Sequence, residues 1–325
     1  MNGEPLLQAH ELVKRFGTVT AVDGVTLDVI EGEALGIVGE SGAGKTTLAR
    51  LLALGTAPSS GGLRLGGADV AGVKRGELRR LRAEVQMTFP DPDSSLNPRR
   101  TVGAILAEPF AVHGRPKSER RQLVVDLLAR VGLDPAQYAS RPAELTRDER
   151  QCVAVARAIA LQPRLLILDE PVAALGIAGR ARVLNLLVEL KRALGLTVVL
   201  TTSDLAVARY VCDRIAVMYR GAVVELARTD WLYGLPRHPY TGALLGSMQV
   251  PRPDFARRER QQLRGEEPRP QERPTGCRFH PRCPKAQERC AQEDPPLGDA
   301  GQGSLVACHF PLTREEVARL PAGPA

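Results

Sequence analysis

Residues 39–46, Gly39-Glu40-Ser41-Gly42-Ala43-Gly44-Lys45-Thr46, fit the pattern G-x-x-x-x-G-K-[ST], the spacing of a loop that cradles phosphate. Gly39, Gly42 and Gly44 let the backbone curl so that successive N–H groups point inward at phosphate oxygens. The run that follows, Thr47-Leu48-Ala49-Arg50-Leu51-Leu52, has helical spacing, so a helix dipole puts its positive end at the same point. Lys45 is placed to reach the β- and γ-phosphates, and the Thr46 hydroxyl to ligate Mg²⁺. The bland alternative is a Gly-rich turn before an ordinary helix. Strand, motif and helix in register favour a nucleoside triphosphate site.

Two carboxylates form a second constellation. Arg164-Leu165-Leu166-Ile167-Leu168-Asp169-Glu170 reads as a buried strand ending in acids, at the carboxyl edge where open α/β sheets bind ligands. Asp169 suits Mg²⁺, through water, and Glu170 suits polarising an attacking water. Strand-end carboxylates also serve as caps; a phosphate loop upstream favours the chemical reading. Phe16, in the turn between two expected strands, either stacks on a purine or fills core.

Four cysteines, Cys277, Cys283, Cys290 and Cys308, crowd the C-terminal end with gaps of five, six and seventeen residues. In a reducing compartment such clustering points to a metal rather than to disulfides. Four thiolates close a zinc site or hold an iron–sulfur cluster. The short C-x₂₋₄-C knuckles of structural zinc are missing, and wide gaps suit a bulkier cluster. His280 and His309 are substitute ligands that four cysteines make unnecessary. A staple for a small extension with little core is preferred over a redox or sensing role. Cys152 and Cys212 lie in apolar segments and read as buried, inert thiols.

These groups need a scaffold. Strand alternation over 6–13 and 25–29 predicts a small antiparallel layer before a buried strand at 34–38. Short strands are expected at 61–70 and 84–89, with a basic helix at 77–82 between them. The proline-dense run 90–99 must be extended or turning. Three amphipathic helices are expected at 102–110, 117–131 and 147–161. Further α/β units follow: helix 178–194, strand 197–201, helix 204–211, and strands 214–218 and 222–225. Residues 250–275, rich in Pro, Arg, Glu and Gln, read as an exposed linker.

The 325 residues allow one large domain or two moderate ones. With 43% hydrophobic and 25% charged residues the chain is globular rather than disordered. No window has the roughly 18 apolar residues of a membrane span, and the N-terminus lacks a signal-peptide pattern. A cytoplasmic protein is expected, alone or docked on something. The net charge of +7 is modest and spread along the chain, so no nucleic-acid partner is assigned.

Phosphate loop, helical insertion and LLILDEP, in that order, resemble the ATPase subunits of ABC transporters over nearly the whole chain. VQMTFPDPDSSLNPRRTVG, VMYRGAVVE and HPYTGALL, with the late cysteines, are similar specifically to the dipeptide/oligopeptide importer branch. The resemblance implies an α/β ABC-type P-loop ATPase: a RecA-like core, a small antiparallel β layer, a helical subdomain at about 97–162 and a small Cys-rich C-terminal extension. The domains implied are an ATPase domain at 1–248, a linker at 249–275 and the Cys-rich extension at 276–325. The site implied comprises Phe16 on adenine, Gly39, Glu40, Ser41, Gly42, Ala43, Gly44, Lys45, Thr46 and Thr47 on phosphate, Thr46 and Asp169 on Mg²⁺, and Glu170 as catalytic base. Cys277, Cys283, Cys290 and Cys308 would hold a four-iron four-sulfur cluster, with zinc the alternative. Implied partners are a second ATPase subunit in a heterodimer, two permease subunits and an extracytoplasmic substrate-binding protein. The protein would lie peripherally on the cytoplasmic face of the cell membrane.

Four places depart from the family pattern. Pro90 stands for its Gln, Ser203 for its switch His, Gly176 for its Asp, and Leu145-Thr146-Arg147-Asp148-Glu149 for L-S-G-G-Q. Arg147 and Asp148 put side chains where close backbone approach is needed. Asp148 also brings negative charge toward phosphate, about 4 kcal/mol per unit charge at about 4 Å and an effective dielectric of about 20. Thr146 and Glu149 form a capping box that satisfies the helix start internally. The reading is ATP-driven peptide uptake by a transport ATPase. The alternatives are a subunit that binds ATP but is impaired in hydrolysis, and nickel or opine cargo. A soluble ATPase acting on ribosomes or DNA is disfavoured by HPYTGALL.

Overall fold

The computed structural model describes residues 4–247 and 274–320. Its strands, in chain order, are β1 (Pro5–Phe16), β2 (Val19–Ile30), β3 (Ala34–Val38), β4 (Ser60–Leu65), β5 (Ala68–Asp69), β6 (Val85–Thr88), β7 (Leu165–Asp169), β8 (Thr197–Thr202), β9 (Arg214–Tyr219), β10 (Ala222–Arg228), β11 (Gly298–Asp299) and β12 (Leu305–Val306). They form two sheets. The smaller is antiparallel, in the order β2-β1-β4-β5. The larger runs β11-β12-β10-β9-β3-β8-β7-β6. Its segment from β9 to β6 is parallel, and β10, β12 and β11 add antiparallel strands at one edge.

The pattern of burial follows from these layers. β3, β7 and β8 are buried at every position, because the sheet is covered on both faces, and their sequences are apolar runs rather than alternations. One apolar cluster joins the small sheet to the large one through Leu7, Leu27, Ile37 and Ile167. The other joins the opposite face to the helices through Leu168, Leu187, Val155 and Phe110. Parallel strands with covered faces bring Val38, Asp169 and Thr202 to one carboxyl edge, where the candidate site lies.

The helical insertion holds Val102–Val112, Lys117–Arg130 and Arg147–Ile159, within two residues of the expected bounds. Two 3₁₀ turns, Pro135–Ala139 and Pro142–Glu144, join the second to the third. The proline-dense loop is not wholly extended. Pro92–Ser95 makes one helical turn, because the Asp91 carboxylate accepts from the N–H groups of Asp93 (3.1 Å) and Ser94 (3.3 Å).

Two C-terminal features differ from expectation. Helix Pro239–Ser247 has no amphipathic stripe to announce it: Pro239, Tyr240, Thr241, Gly242, Ala243 and Leu245 are all buried. The cysteine-bearing segment is not a separate piece with little core. β12 pairs with β10, Glu225 opposite Val306, and Phe279 and Cys283 join the main apolar cluster. Almost all of the expected linker, 248–273, lies outside the described residues. Among the described residues no helix is long and apolar enough to cross a membrane.

Candidate functional site

β3 delivers its last residue, Val38, into the loop 39–44, and the helix Lys45–Leu52 starts directly after it. Close approach explains two of the glycines. A Cβ on Gly39 would lie 2.3 Å from the Met218 carbonyl oxygen, and one on Gly44 only 2.2 Å from that of Ala21. Gly44 also has φ near 100°, a left-handed conformation that favours glycine. The turn between β9 and β10 steadies the loop from outside, the Gly221 N–H donating to Ala43 O at 2.9 Å. Ser41 and Gly42 face outward, while Ala43 is buried and Thr47 half-buried.

Lys45 is 6% exposed. Its ammonium donates to Gly39 O (2.9 Å) and Glu40 O (3.0 Å) and lies 3.4 Å from Glu170 Oε1. The Thr46 hydroxyl donates to Asp169 Oδ1 at 3.0 Å, and Thr201 Oγ1 donates to the same oxygen at 2.6 Å. Asp169 is fully buried, yet its Oδ2 has no hydrogen-bond partner among the described residues. An acceptor left over beside a threonine hydroxyl fits a divalent cation. Glu170 adopts φ 47°, a strained conformation for a residue with a Cβ. Its N–H is held by Thr201 O and Oγ1, each at 3.1 Å. Lys45, Thr46, Asp169 and Glu170 thus converge, with Thr201 as a fifth member. Sequence reasoning missed Thr201; its signal is a hydroxyl at the end of the strand next to β7. Phe16, at the end of β1, is 54% exposed with the Lys14 ammonium 5.3 Å from its ring centroid, so it is not a core residue.

A phosphate loop and a strand-end Asp-Glu pair on one edge of a parallel sheet are shared by many nucleotide-binding proteins. The ABC transporter family profile matches residues 22–173. The profile of the oligopeptide/dipeptide transporter C-terminal region matches 224–290. A probable peptide ABC transporter ATP-binding protein of Sinorhizobium fredii is 46% identical over 292 residues, 90% of this chain and 82% of the relative. The chain belongs to the ABC transporter family. An oligopeptide transport ATP-binding protein of Bacillus subtilis is 42% identical over 323 residues, covering 95% of this chain and 98% of its own length. Among solved structures, cbiO1 of Clostridium perfringens, part of an ABC transporter complex, superposes with TM-score 0.65 at 27% identity over 71% of this chain and 91% of its own. The dimeric bacterial ABC transporter cassette MJ0796 gives 0.63 at 26% identity, over 69% and 98%.

The positions that depart from the ABC pattern can now be located. Ser203 is exposed just past β8, Pro90 half-buried just past β6, and Gly176 exposed at the start of the helix Ile177–Leu194. Thr146 caps the helix Arg147–Ile159, its hydroxyl accepting from the Glu149 N–H at 3.4 Å and donating to Glu149 Oε2 at 2.9 Å. The Thr146 N–H donates to the same carboxylate at 2.8 Å, completing the expected capping box. The Asp148 charge is already paired. Its carboxylate meets Arg182 at 3.0 Å and so is neutralised within the chain. Arg147 lies 3.8 Å from Asp91 and 3.9 Å from Asp93, and Arg150 binds Asp93 at 2.5 Å.

Cys277, Cys283, Cys290 and Cys308 line one small pocket with His238, Phe279 and Phe310. Among the described residues no three His, Cys, Asp or Glu side chains form a group able to hold a metal ion. Burial first, then the neighbouring thiols, pushes the Cys277 thiol up to about 11 and Cys308 up to about 12.

Proposed function

We propose that this chain is the ATP-binding subunit of a transporter that takes up peptides, converting ATP binding and hydrolysis into movement of its permease. The observation that carries the reading is the buried Oδ2 of Asp169, left without a partner beside the Thr46 hydroxyl at the foot of the phosphate loop. In this reading Lys45 exchanges its two backbone acceptors for phosphate oxygens. The N–H groups of 39–47 hold the triphosphate, and Phe16 offers its open face to adenine. Thr46 and Asp169 would hold Mg²⁺, which when bound would offset charge on the phosphates. Glu170 would take the proton of the attacking water as that water's oxygen bonds to the γ-phosphorus and the bond to the β-phosphate oxygen breaks, giving ADP and inorganic phosphate. The names of relatives matching nine-tenths or more of the chain, and the match to the peptide-transporter C-terminal region, support peptide cargo.

The assembly proposed is a heterodimer with a second ATPase subunit, docked peripherally on two permease subunits at the cytoplasmic face of the membrane and fed by an extracytoplasmic binding protein. The proposed divisions are an ATPase domain at 1–248, with helical subdomain about 97–162, a linker at 249–275 and the Cys-rich extension at 276–325. The extension's four cysteines would hold a four-iron four-sulfur cluster. Four thiols lining one small pocket, spaced without the short knuckles of structural zinc, support this reading.

Reconstitution with cognate permease subunits and binding protein tests the reading, with peptide uptake by right-side-out proteoliposomes loaded with ATP as the expected outcome. Uptake of nickel or opines in place of peptides would overturn the cargo assignment. The chain purified without air is expected to be brown, with iron and sulfide in equal amounts. A colourless protein with one stoichiometric zinc would reverse the metal assignment.

A further inference from the structure

The phosphate loop is gripped from an unexpected side. Glu40, the residue after Gly39, donates its N–H to the Tyr240 hydroxyl at 3.0 Å. Arg282 forks onto the Glu40 carboxylate, Nη1 to Oε2 at 2.9 Å and Nη2 to Oε1 at 3.3 Å. Neither Tyr240 nor Arg282 belongs to the nucleotide core in sequence; Arg282 and Glu40 are 242 positions apart. We propose that Tyr240 and Arg282 are positioning residues for the triphosphate, through which the C-terminal segment sets the geometry of the phosphate loop.

One peptide plane links Tyr240 to Lys45. The Gly39–Glu40 peptide carries the N–H that Tyr240 receives and the C=O that receives the Lys45 ammonium at 2.9 Å. A peptide is rigid, so fixing its N–H fixes its carbonyl, and that carbonyl fixes the resting position of the ammonium. The second carbonyl on Lys45, Glu40 O at 3.0 Å, belongs to the residue whose side chain Arg282 holds. Both anchors are themselves immobile. Tyr240 is fully buried, with its ring 4.6 Å from Tyr219 and 5.3 Å from Phe279, centroid to centroid. Arg282 is 9% exposed and its guanidinium lies 6.0 Å from the Tyr219 ring centroid. A bidentate Arg–carboxylate pair adds directional as well as electrostatic restraint.

Arg282 ends the 3₁₀ turn His280–Arg282, which sits between Cys277 and Cys283. Whatever orders the cysteine pocket therefore orders the residue that holds Glu40. Its guanidinium reaches the loop residue whose backbone carbonyl holds the Lys45 ammonium.

The proposal rests on the ATP-site reading above, and the test separates the two. Full-length parent, Lys45→Ala, Tyr240→Phe, Arg282→Met, the single reversals Glu40→Arg and Arg282→Glu, and the two reversals combined are titrated with a fluorescent ATP analogue and Mg²⁺, alongside thermal melting. Tyr240→Phe and Arg282→Met are expected to bind about threefold to tenfold more weakly, the lower part of the coupling seen between residues in contact. The charge reversal is expected to recover affinity relative to either reversed residue alone. In the assembled transporter both variants raise KM for ATP and leave kcat within about twofold. A purely structural role would lower the melting temperature while the folded protein bound the analogue as the parent does, and that result overturns the proposal. If Arg282→Met does not fold, Tyr240→Phe decides alone, since it keeps the ring and removes only the hydroxyl. If the parent itself fails to bind, or Lys45→Ala binds as tightly, the ATP-site reading falls instead.

Discussion

The helices Lys45–Leu52 and Arg147–Ile159 both start where the ABC pattern meets phosphate, and their first turns are built in opposite ways. The first has Gly44 as its N-cap, no side-chain cap and no acid in its first turn. The second has Thr146, a reciprocal capping box with Glu149, and both Asp148 and Glu149 in its first turn. A helix start has free N–H groups and partial positive charge that something must satisfy. At Lys45 that need is left for an external anion, and Lys45 itself is held by backbone carbonyls that an anion can replace. At Arg147 the chain's own oxygens already meet it. The difference teaches that two parts of one nucleotide machine can diverge without loss of fold, because the helix is stable either way.

The largest expected effect removes one cation from each start. Lys45→Ala abolishes tight binding of a fluorescent ATP analogue and lowers ATP hydrolysis by about 10²–10³-fold, the usual loss for a preorganised group on developing charge. Arg147→Ala leaves analogue binding by this chain unchanged, because its guanidinium faces Asp91 and Asp93. Equal losses in the two variants would end the comparison.

Next in size is the reverse experiment. Arg147→Gly with Asp148→Gly strips the two side chains and brings the segment toward the family's Gly-Gly. ATP turnover of the assembled transporter is expected to rise severalfold, measured by phosphate release. The gain is partly offset, since each glycine weakens a helix by up to about 1 kcal/mol. Turnover that stays level or falls would mean that the paired side chains already serve the partner's nucleotide.

Much of this was legible in the sequence, for reasons that residues make plain. The phosphate loop and the Asp169-Glu170 pair are local patterns on covered strands, so spacing alone places them on one sheet edge. The capping box is equally local. The pairing of Asp148 is not legible because its partner, Arg182, is 34 positions away, and spacing cannot show which charges a carboxylate will face. Thr201 and Tyr240 were unreadable for the same reason: their hydroxyls act across strands or across the whole chain. The segment carrying the cysteines looked independent because a two-residue strand such as β12 gives no alternation to detect.

A smaller effect isolates the cap. Thr146→Ala removes the hydroxyl that pairs with the Glu149 N–H, a loss worth about 1 kcal/mol at an N-cap. It is expected to lower the melting temperature slightly and raise hydrogen exchange at 147–150, with no change in ATP analogue affinity of the chain. A loss of affinity would show that the two helix starts are coupled within one subunit.

The smallest effect concerns the charge of the box. The Thr146 N–H, then its hydroxyl, hold the Glu149 carboxylate below the usual range, against a smaller opposing cost of burial. A carboxyl group with a depressed folded-state value contributes stability that is fully present above its unfolded value of about 4.5. That contribution fades as pH falls through the lower folded value. Glu149→Gln keeps the hydrogen-bonding shape of a capping box but has no proton to exchange. The variant should therefore melt slightly below the parent at pH 7, by roughly a few tenths of a kcal/mol at so exposed a site. The gap should close below about pH 4 as the parent's carboxylate is protonated. A gap that is constant with pH would mean that the box is held by shape alone. The contrast with the uncapped start at Lys45 would then rest on hydrogen bonds rather than on charge.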